Sequence, residues 1–351
     1  MAASKFISPP PLSERISKEE EFFNKDFLMS YSGLNKLMYS PALFYSHYVL
    51  NQKDDSYDQN MVEGSLIHCL LLDKETFTDK FILSPLDTPS DAQRDILQSL
   101  YRHYKVLKED DALDERKSLE DFGPAILDIL QDRNLYQSMK EETRLGKMIN
   151  EITSEYWEYL KKSEGKTIID HETHEFAKAV VNKITSNATV MECMGFFGDA
   201  MNGIISKNEN QFVISSDKTE GLNFGLRGFI DNLVYDPQKR IIRINDLKKT
   251  GKTISKFVDS IEYFNYWAQA AMYARLVRHV SQKELAEGWS TEFRFIVVDA
   301  QMQIAPIKVS AETMIQWEER LTTALNNASY HFDERNFELP YEFLKNKELV
   351  I

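Results

Sequence analysis

The chain has 351 residues, 42% hydrophobic and 12% aromatic, with a formal net charge of -13, which is the make-up of a folded protein with room for one large core or two modest ones. No apolar run reaches bilayer-spanning length, and the start, MAASKFISPPPLSERISKEEEFF, lacks the basic-then-apolar order of a secretory signal, so no membrane role and a cytoplasmic location are expected. Cys69 and Cys193 are too few for a disulfide framework, a four-thiolate zinc site or an iron-sulfur cluster.

In chain order, residues 1–27, with Pro9, Pro10 and Pro11 and then an acidic stretch, read as a flexible arm, and residues 28–351 as one domain. Asn35–Met38 and Ala42–Leu50 predict two short helices, the second opened by Ser40-Pro41, because proline is tolerated in a first helical turn. Gln59–Leu72 carries Met61, Val62, Leu66, Ile67, Leu70 and Leu71 at helical spacing, and Gly64 suggests close approach of another backbone. Residues 90–165 are highly charged with periodic apolar positions, and read as a helical insertion. Asp170 is a candidate N-cap for a helix over Glu175–Ile184, followed by a short helix at Ala188–Met194. Strand-like runs follow at Ile204-Ile205, Gln211–Ser215 and Leu222–Leu226, then a hairpin over residues 228–248 and a buried strand at Phe293–Asp299. A long helix at Tyr263–Val280 and another at Ala311–Phe332 complete the set.

The hairpin GFIDNLVYDPQKRIIRINDLK concentrates the chemistry. Side chains alternate along a strand, so Asp246 and Lys248 share one side while Leu247 points away. If Asp236–Arg240 is the turn, a register in which Tyr235 faces Ile242 sets Asp231 opposite Asp246. Two facing carboxylates repel unless a cation lies between them, and such oxygen ligands suit Mg2+ or Mn2+. The segment Arg227–Arg278 is also basic, including Lys239, Arg240, Arg243, Lys248, Lys249, Lys252, Lys256 and Arg275. That is either a local field that attracts phosphate or a solvated face. His171 and His174 in DHETHE lack further ligands for a zinc site and read as a helix-start surface, while Asp236 and Asp259 read as turn and loop residues.

The order Gly64-x-x-x-His68, Glu209, Gly228-x-x-Asp231, Asp246-x-Lys248, Gln269-x-x-x-Tyr273 resembles the PD-(D/E)xK nuclease superfamily, and within it the RecB-type, RecE and lambda exonuclease groups of phage recombination. The likeness starts at MSYSGLNKLMYSPALFY and runs to about Val309. It implies an α/β (α+β) fold with a restriction-endonuclease-like core, a mixed central β-sheet flanked by helices. It further implies Asp231 and Asp246 as metal ligands with the Leu247 carbonyl, Lys248 as the residue that orients the attacking water, and Glu209 and His68 near the metal. Gln269 and Tyr273, four apart on one helix face, would brace the lysine and touch DNA. For His68 the alternative is a hydrogen-bonded core histidine, for Glu209 a solvated loop residue, for Lys248 a surface ion pair, and for Gln269 and Tyr273 ordinary packing. Lys249 stands where the family often has threonine.

The resemblance implies a Mg2+-dependent exonuclease, with Mn2+ substituting, that digests linear duplex DNA ends, 5' to 3'. Its expected partners are a single-strand annealing protein and further copies of itself in a ring. The alternatives are a Cas4-like single-strand nuclease without an iron-sulfur cluster, and a catalytically inactive DNA- or protein-binding member of the fold.

Overall fold

The computed structural model describes residues 11–52, 58–84, 87–109, 118–163, 165–196 and 203–347, with the side chains of 103–109 and 209 outside that description. The strands among these residues are β1 (Leu28–Met29), β2 (Phe81–Leu83), β3 (Thr167–Ile169), β4 (Ile205–Ile214), β5 (Gly225–Asp236), β6 (Ile241–Lys249), β7 (Ser290–Val298) and β8 (Ile304–Lys308). The fold is mixed α/β, a central mixed sheet flanked by helices, as the sequence leads one to expect.

The chain forms two compact units, Met1–Asp54 with Lys183–Ile351, and Asp55–Asn182. The physical reason is a second core. In the Asp55–Asn182 unit, Ile96, Leu97, Leu100, Ile126, Leu130, Tyr156 and Trp157 bury one another in their own cluster. The charged segment 90–165 supplies this cluster through helices at Asp91–Glu109, Gly123–Asp132 and Glu151–Lys162. A two-stranded parallel sheet, β2 with β3, completes the unit. The helix predicted over Gln59–Leu72 has those bounds. Gly64 on it has nothing within 4 Å of where a Cβ would stand, so it marks no close backbone approach. Asp170 caps the next helix through its Oδ1, which accepts from the Thr173 amide at 2.6 Å.

The other unit holds the six-stranded sheet, ordered β1-β5-β6-β7-β8 with β4 also on β5. β4, β5 and β6 form an antiparallel meander, β6 and β7 run parallel, and β8 returns antiparallel. β4 is one ten-residue strand where the sequence suggested separate short ones, because the polar run SKNENQ pairs along β5 as fully as its apolar flanks do. β6 is buried over Ile242–Leu247, as suits a central strand. The helix expected over Tyr263–Val280 is broken. Phe257–Tyr263 ends before Asn265, whose φ of 56° is a left-handed conformation that asparagine tolerates, and a new helix runs Tyr266–Val280. Trp267 Nε1 donates to Asn265 Oδ1 at 3.0 Å, and Asn265 Nδ2 to Asn35 Oδ1 at 2.8 Å, fixing the bend.

The Tyr266–Val280 helix packs on the sheet and on the Ala311–Asp333 helix, and four alanines among its buried residues let those neighbours come close. Residues 12–23, expected within a mobile arm, are helical. Phe22, Phe23 and Phe27 join an aromatic group with Phe44, Phe332 and Phe337, so hydrophobic burial holds what charge and proline content suggested was loose. Residues 1–10 of that arm lie outside the described residues.

Candidate active site

The ladder between β5 and β6 pairs Tyr235 with Ile242 and ends, as described, at Asn232 with Asn245. The next step of that register sets Asp231 against Asp246. Asp231 Oδ2 accepts the Leu247 amide at 2.7 Å, so the carboxylate closes the ladder just where backbone pairing stops. One position behind, Asn245 Nδ2 donates to Asn232 Oδ1 at 2.7 Å and to the Cys193 carbonyl at 2.9 Å. Asn232 Nδ2 reaches Ser206 Oγ and Asn208 Oδ1, each at 2.8 Å. These buried amides fix both acid-bearing strands against the Ala188–Cys193 helix and β4.

Asp246 is fully buried. Its Oδ1 accepts from Gln269 Nε2 at 3.0 Å, and the same nitrogen donates to the Tyr273 hydroxyl at 3.0 Å. Its Oδ2 meets the Lys248 ammonium at 2.5 Å, a charge-assisted contact. Lys248 in turn lies over the Tyr266 ring, 5.0 Å from its centre. Burial alone would push the Lys248 ammonium toward neutrality; the charges of Asp246 and Asp231 outweigh it and hold its pKa above the usual lysine value. Tyr31, Tyr266 and Tyr273 are all held above the ordinary phenol range, chiefly by burial; the Asp246 charge pushes each further up, and at Tyr266 the Lys248 ammonium pulls the other way. Three neutral phenols therefore wall the carboxylates.

Asp231, Asp246, Lys248, Gln269 and Tyr273 thus converge. Gly228 makes room for this: a Cβ there would stand 2.8 Å from Tyr273 Cε1 and 2.7 Å from Leu276 Cδ1, so only glycine lets the helix lie this close to β5. Position 209 lies on β4 between Asn208, which pairs with Asn232, and Asn210, which pairs with Ile230; its side chain is outside the described residues. His68 is half-buried on the Gln59–Leu72 helix of the other unit. Lys249 follows at the end of β6, paired with Val298. His171 and His174 sit on the first turn of the His171–Thr185 helix. Asp236 is the buried last residue of β5, paired with Ile241 instead of standing in the turn, and its Oδ1 accepts the Lys239 amide at 3.0 Å. Asp259 lies on the Phe257–Tyr263 helix instead of a loop.

Tyr266 and Tyr31 were missed from sequence. For Tyr266 the signal was present, since 266, 269 and 273 share one helix face. Tyr31 could not be found that way: its hydroxyl reaches the Phe264 carbonyl at 2.5 Å across most of the chain length.

Among the described residues no three His, Cys, Asp or Glu side chains converge on one point. What converges is an all-oxygen set, the Asp231 and Asp246 carboxylates, with Asp246 Oδ2 balanced only by a lysine. Hard divalent cations are bound by such oxygens, and the donors fit.

A family model of the PD-(D/E)XK nuclease superfamily matches residues 28–338, and the chain belongs to that superfamily. Members generally use divalent metals. A crystal structure of a candidate exonuclease from Eubacterium rectale is similar over 99% of this chain and 96% of that one, at 11% identity and a TM-score of 0.45. No curated protein matches the chain. No helix among the described residues is long and apolar enough to cross a membrane.

Proposed function

We propose that the chain is a metal-dependent DNA exonuclease that hydrolyses phosphodiester bonds from the ends of linear duplex DNA, 5' to 3', in phage-type recombination or DNA processing. The observation that carries the reading is the facing of Asp231 and Asp246 with Lys248 and Gln269 both on Asp246. Asp231, Asp246 and the Leu247 carbonyl would hold Mg2+ or Mn2+, with Glu209 as a further ligand. When bound, such an ion would supply charge to polarise the scissile phosphate and to neutralise the leaving oxygen. Lys248 donates to the attacking water and to the phosphate oxygens as negative charge builds on them. Gln269 keeps Asp246 from rotating, and Tyr273 shields it from bulk solvent on the helix side, where the charges act at greater strength.

The choice of duplex ends, polarity, an annealing-protein partner and a cytoplasmic setting rests on the motif order and its likeness to the RecE and lambda exonuclease groups. A ring of copies would gather the basic residues of 227–278 into a channel and leave the acidic remainder outside. The test is incubation of end-labelled linear duplex and closed circular DNA with Mg2+, Mn2+ or EDTA, for the wild type and Lys248→Ala. Metal- and Lys248-dependent loss of linear DNA alone is expected, and the label position reports polarity. Cutting of circles would replace the exonuclease with an endonuclease, and no cleavage under any metal would favour an inactive binding protein.

A further inference from the structure

We infer that the exposed rings of Phe264 and Tyr263 form a stacking platform for unpaired nucleobases, guiding a single strand toward Asp231, Asp246 and Lys248; the inference rests on the nuclease reading above. Its basis is a continuous run of rings. The Lys248 ammonium lies 5.0 Å from the centre of the Tyr266 ring. Tyr266 stacks on Phe264 at 5.4 Å between centroids and 27° between planes. Phe264 meets Tyr263 edge-on at 4.8 Å. The outer two rings are 44% and 56% exposed. The aromatic series therefore starts under the site's own lysine and ends in solvent.

The backbone beneath these rings is fixed from several sides. The Phe264 amide donates to the Ser260 carbonyl at 3.0 Å, and the Phe264 carbonyl accepts the Tyr31 hydroxyl at 2.5 Å. Asn265, next in sequence, is held by Asn35 and Trp267. Rings held rigidly before a ligand arrives lose little freedom on binding it.

Charge selects the ligand class. Glu262, beside the ring pair in sequence, is neutralised by a two-pronged ion pair with Arg320 at 3.1 and 2.9 Å. The segment leading from Lys248 to the Phe257–Tyr263 helix exposes Lys252 and Lys256, and Asp259 is the other acid on that helix. Exposed rings, with exposed lysines on the segment that precedes them, suit a strand of stacked bases on a phosphate backbone, a recognition mode tolerant of sequence. In a duplex the base faces are covered by their neighbours, so only a terminal or separated base can use the platform. The strand being trimmed would therefore reach the carboxylates already unpaired.

The test uses the full chain and fluorescence anisotropy with two labelled probes of equal length, a thymidine oligonucleotide and an abasic one, in Ca2+ and in EDTA. The proteins are the wild type, Phe264→Ala, Tyr263→Ala and Phe264→Trp, each checked for folding by circular dichroism. Phe264→Ala is expected to weaken thymidine binding about 5- to 100-fold, the range for losing one stacked base, with abasic binding unchanged and Phe264→Trp near wild type. Equal weakening on both probes, or no change on thymidine, would overturn the platform. Metal-dependent cleavage by the wild type is measured in parallel. A wild type that cleaves while Phe264→Ala binds thymidine normally, or while no thymidine binding is detectable, removes the platform and leaves the nuclease reading standing. A wild type that neither binds nor cleaves removes the reading and the platform with it.

Discussion

Gln269→Ala should weaken the fold and the proposed metal site together. The wild-type amide donates to Asp246 Oδ1 and to the Tyr273 hydroxyl, each at 3.0 Å. A hydrogen bond to a buried ionised acceptor contributes about 1.5–3 kcal/mol and a neutral one about 0.5–1.5. With Gln269 only 7% exposed, water replaces neither readily. The better helix propensity of alanine returns a few tenths of a kcal/mol, about the difference between ordinary helix formers. The expected loss is therefore about 2–4 kcal/mol, read as a lower urea midpoint at unchanged slope. Freed at Oδ1, Asp246 can turn toward Lys248, and Mn2+ affinity by calorimetry should fall about 10- to 100-fold, the usual effect of removing a group that orients a metal ligand. Gln269→Met keeps the volume and drops the amide, and should match Gln269→Ala in Mn2+ affinity. Wild-type Mn2+ affinity in both variants would refute the bracing role, and a normal midpoint in Gln269→Ala would refute the stability argument.

Gly228→Ala forces a methyl into Tyr273 and Leu276 and should cost about 1–3 kcal/mol as an overpacked contact, whereas Gly64→Ala, with open space around it inside a helix, should gain up to about 1 kcal/mol; thermal melts of the two variants check the contrast. Asn245→Ala takes the Asn245 donor from buried Asn232 Oδ1, while the Cys193 carbonyl keeps Arg243 Nη1 at 3.1 Å, and should cost about 1–3 kcal/mol in urea denaturation. Burial holds the His331 imidazole below its usual pKa, against a bond from its Nδ1–H to the Asn336 carbonyl at 2.7 Å. A depressed folded pKa means the unfolded chain binds the extra proton first, so this contribution is present above about pH 6.5, the usual histidine value, and is lost as pH falls toward the folded pKa. His331→Gln should flatten the decline in urea midpoint over that acidic window, and an unchanged slope would count against it.

How much of this was legible beforehand depended on how local each signal was. The hairpin register needed only the turn Asp236–Arg240 and strand alternation, and the observed pairing of Tyr235 with Ile242 follows it. The Gln59–Leu72 and Ala311–Asp333 helices needed only apolar periodicity. The break at Asn265 was hidden because its cause is tertiary, a left-handed residue held by Asn35, more than two hundred positions away. The N-terminal helix was hidden for the same reason: its phenylalanines pack on Phe332 and Phe337, about three hundred positions away. In the charged segment 90–165 the periodic apolar positions gave away the helices, while the cluster their large side chains form is tertiary and has no local pattern. In the candidate site, strand parity found Asp231, Asp246 and Lys248, while Tyr31 had no local pattern to give it away.

Charge balance leads to one more expectation. Asp246 and Asp231 both act on the Lys248 ammonium, which lies on Asp246 Oδ2 at 2.5 Å. A divalent ion bound through Asp246 Oδ2 would have to displace Lys248 from that oxygen, so the lysine would compete with the ion. Removing one partner of a buried ion pair costs about 3–5 kcal/mol. Lys248 has a side chain 14% exposed, so the low end applies to Lys248→Met without metal. With the competitor gone and the acids unbalanced, Mn2+ should bind this variant more tightly than wild type. A ligand that binds only the folded state raises stability in proportion to the logarithm of its concentration over Kd. The melting temperature of Lys248→Met should therefore rise further with Mn2+ than that of the wild type, although the variant starts lower and cleaves nothing. Equal shifts would mean that ammonium and ion do not share Asp246, and a smaller shift in Lys248→Met would mean that the lysine helps to build the metal site instead of guarding it.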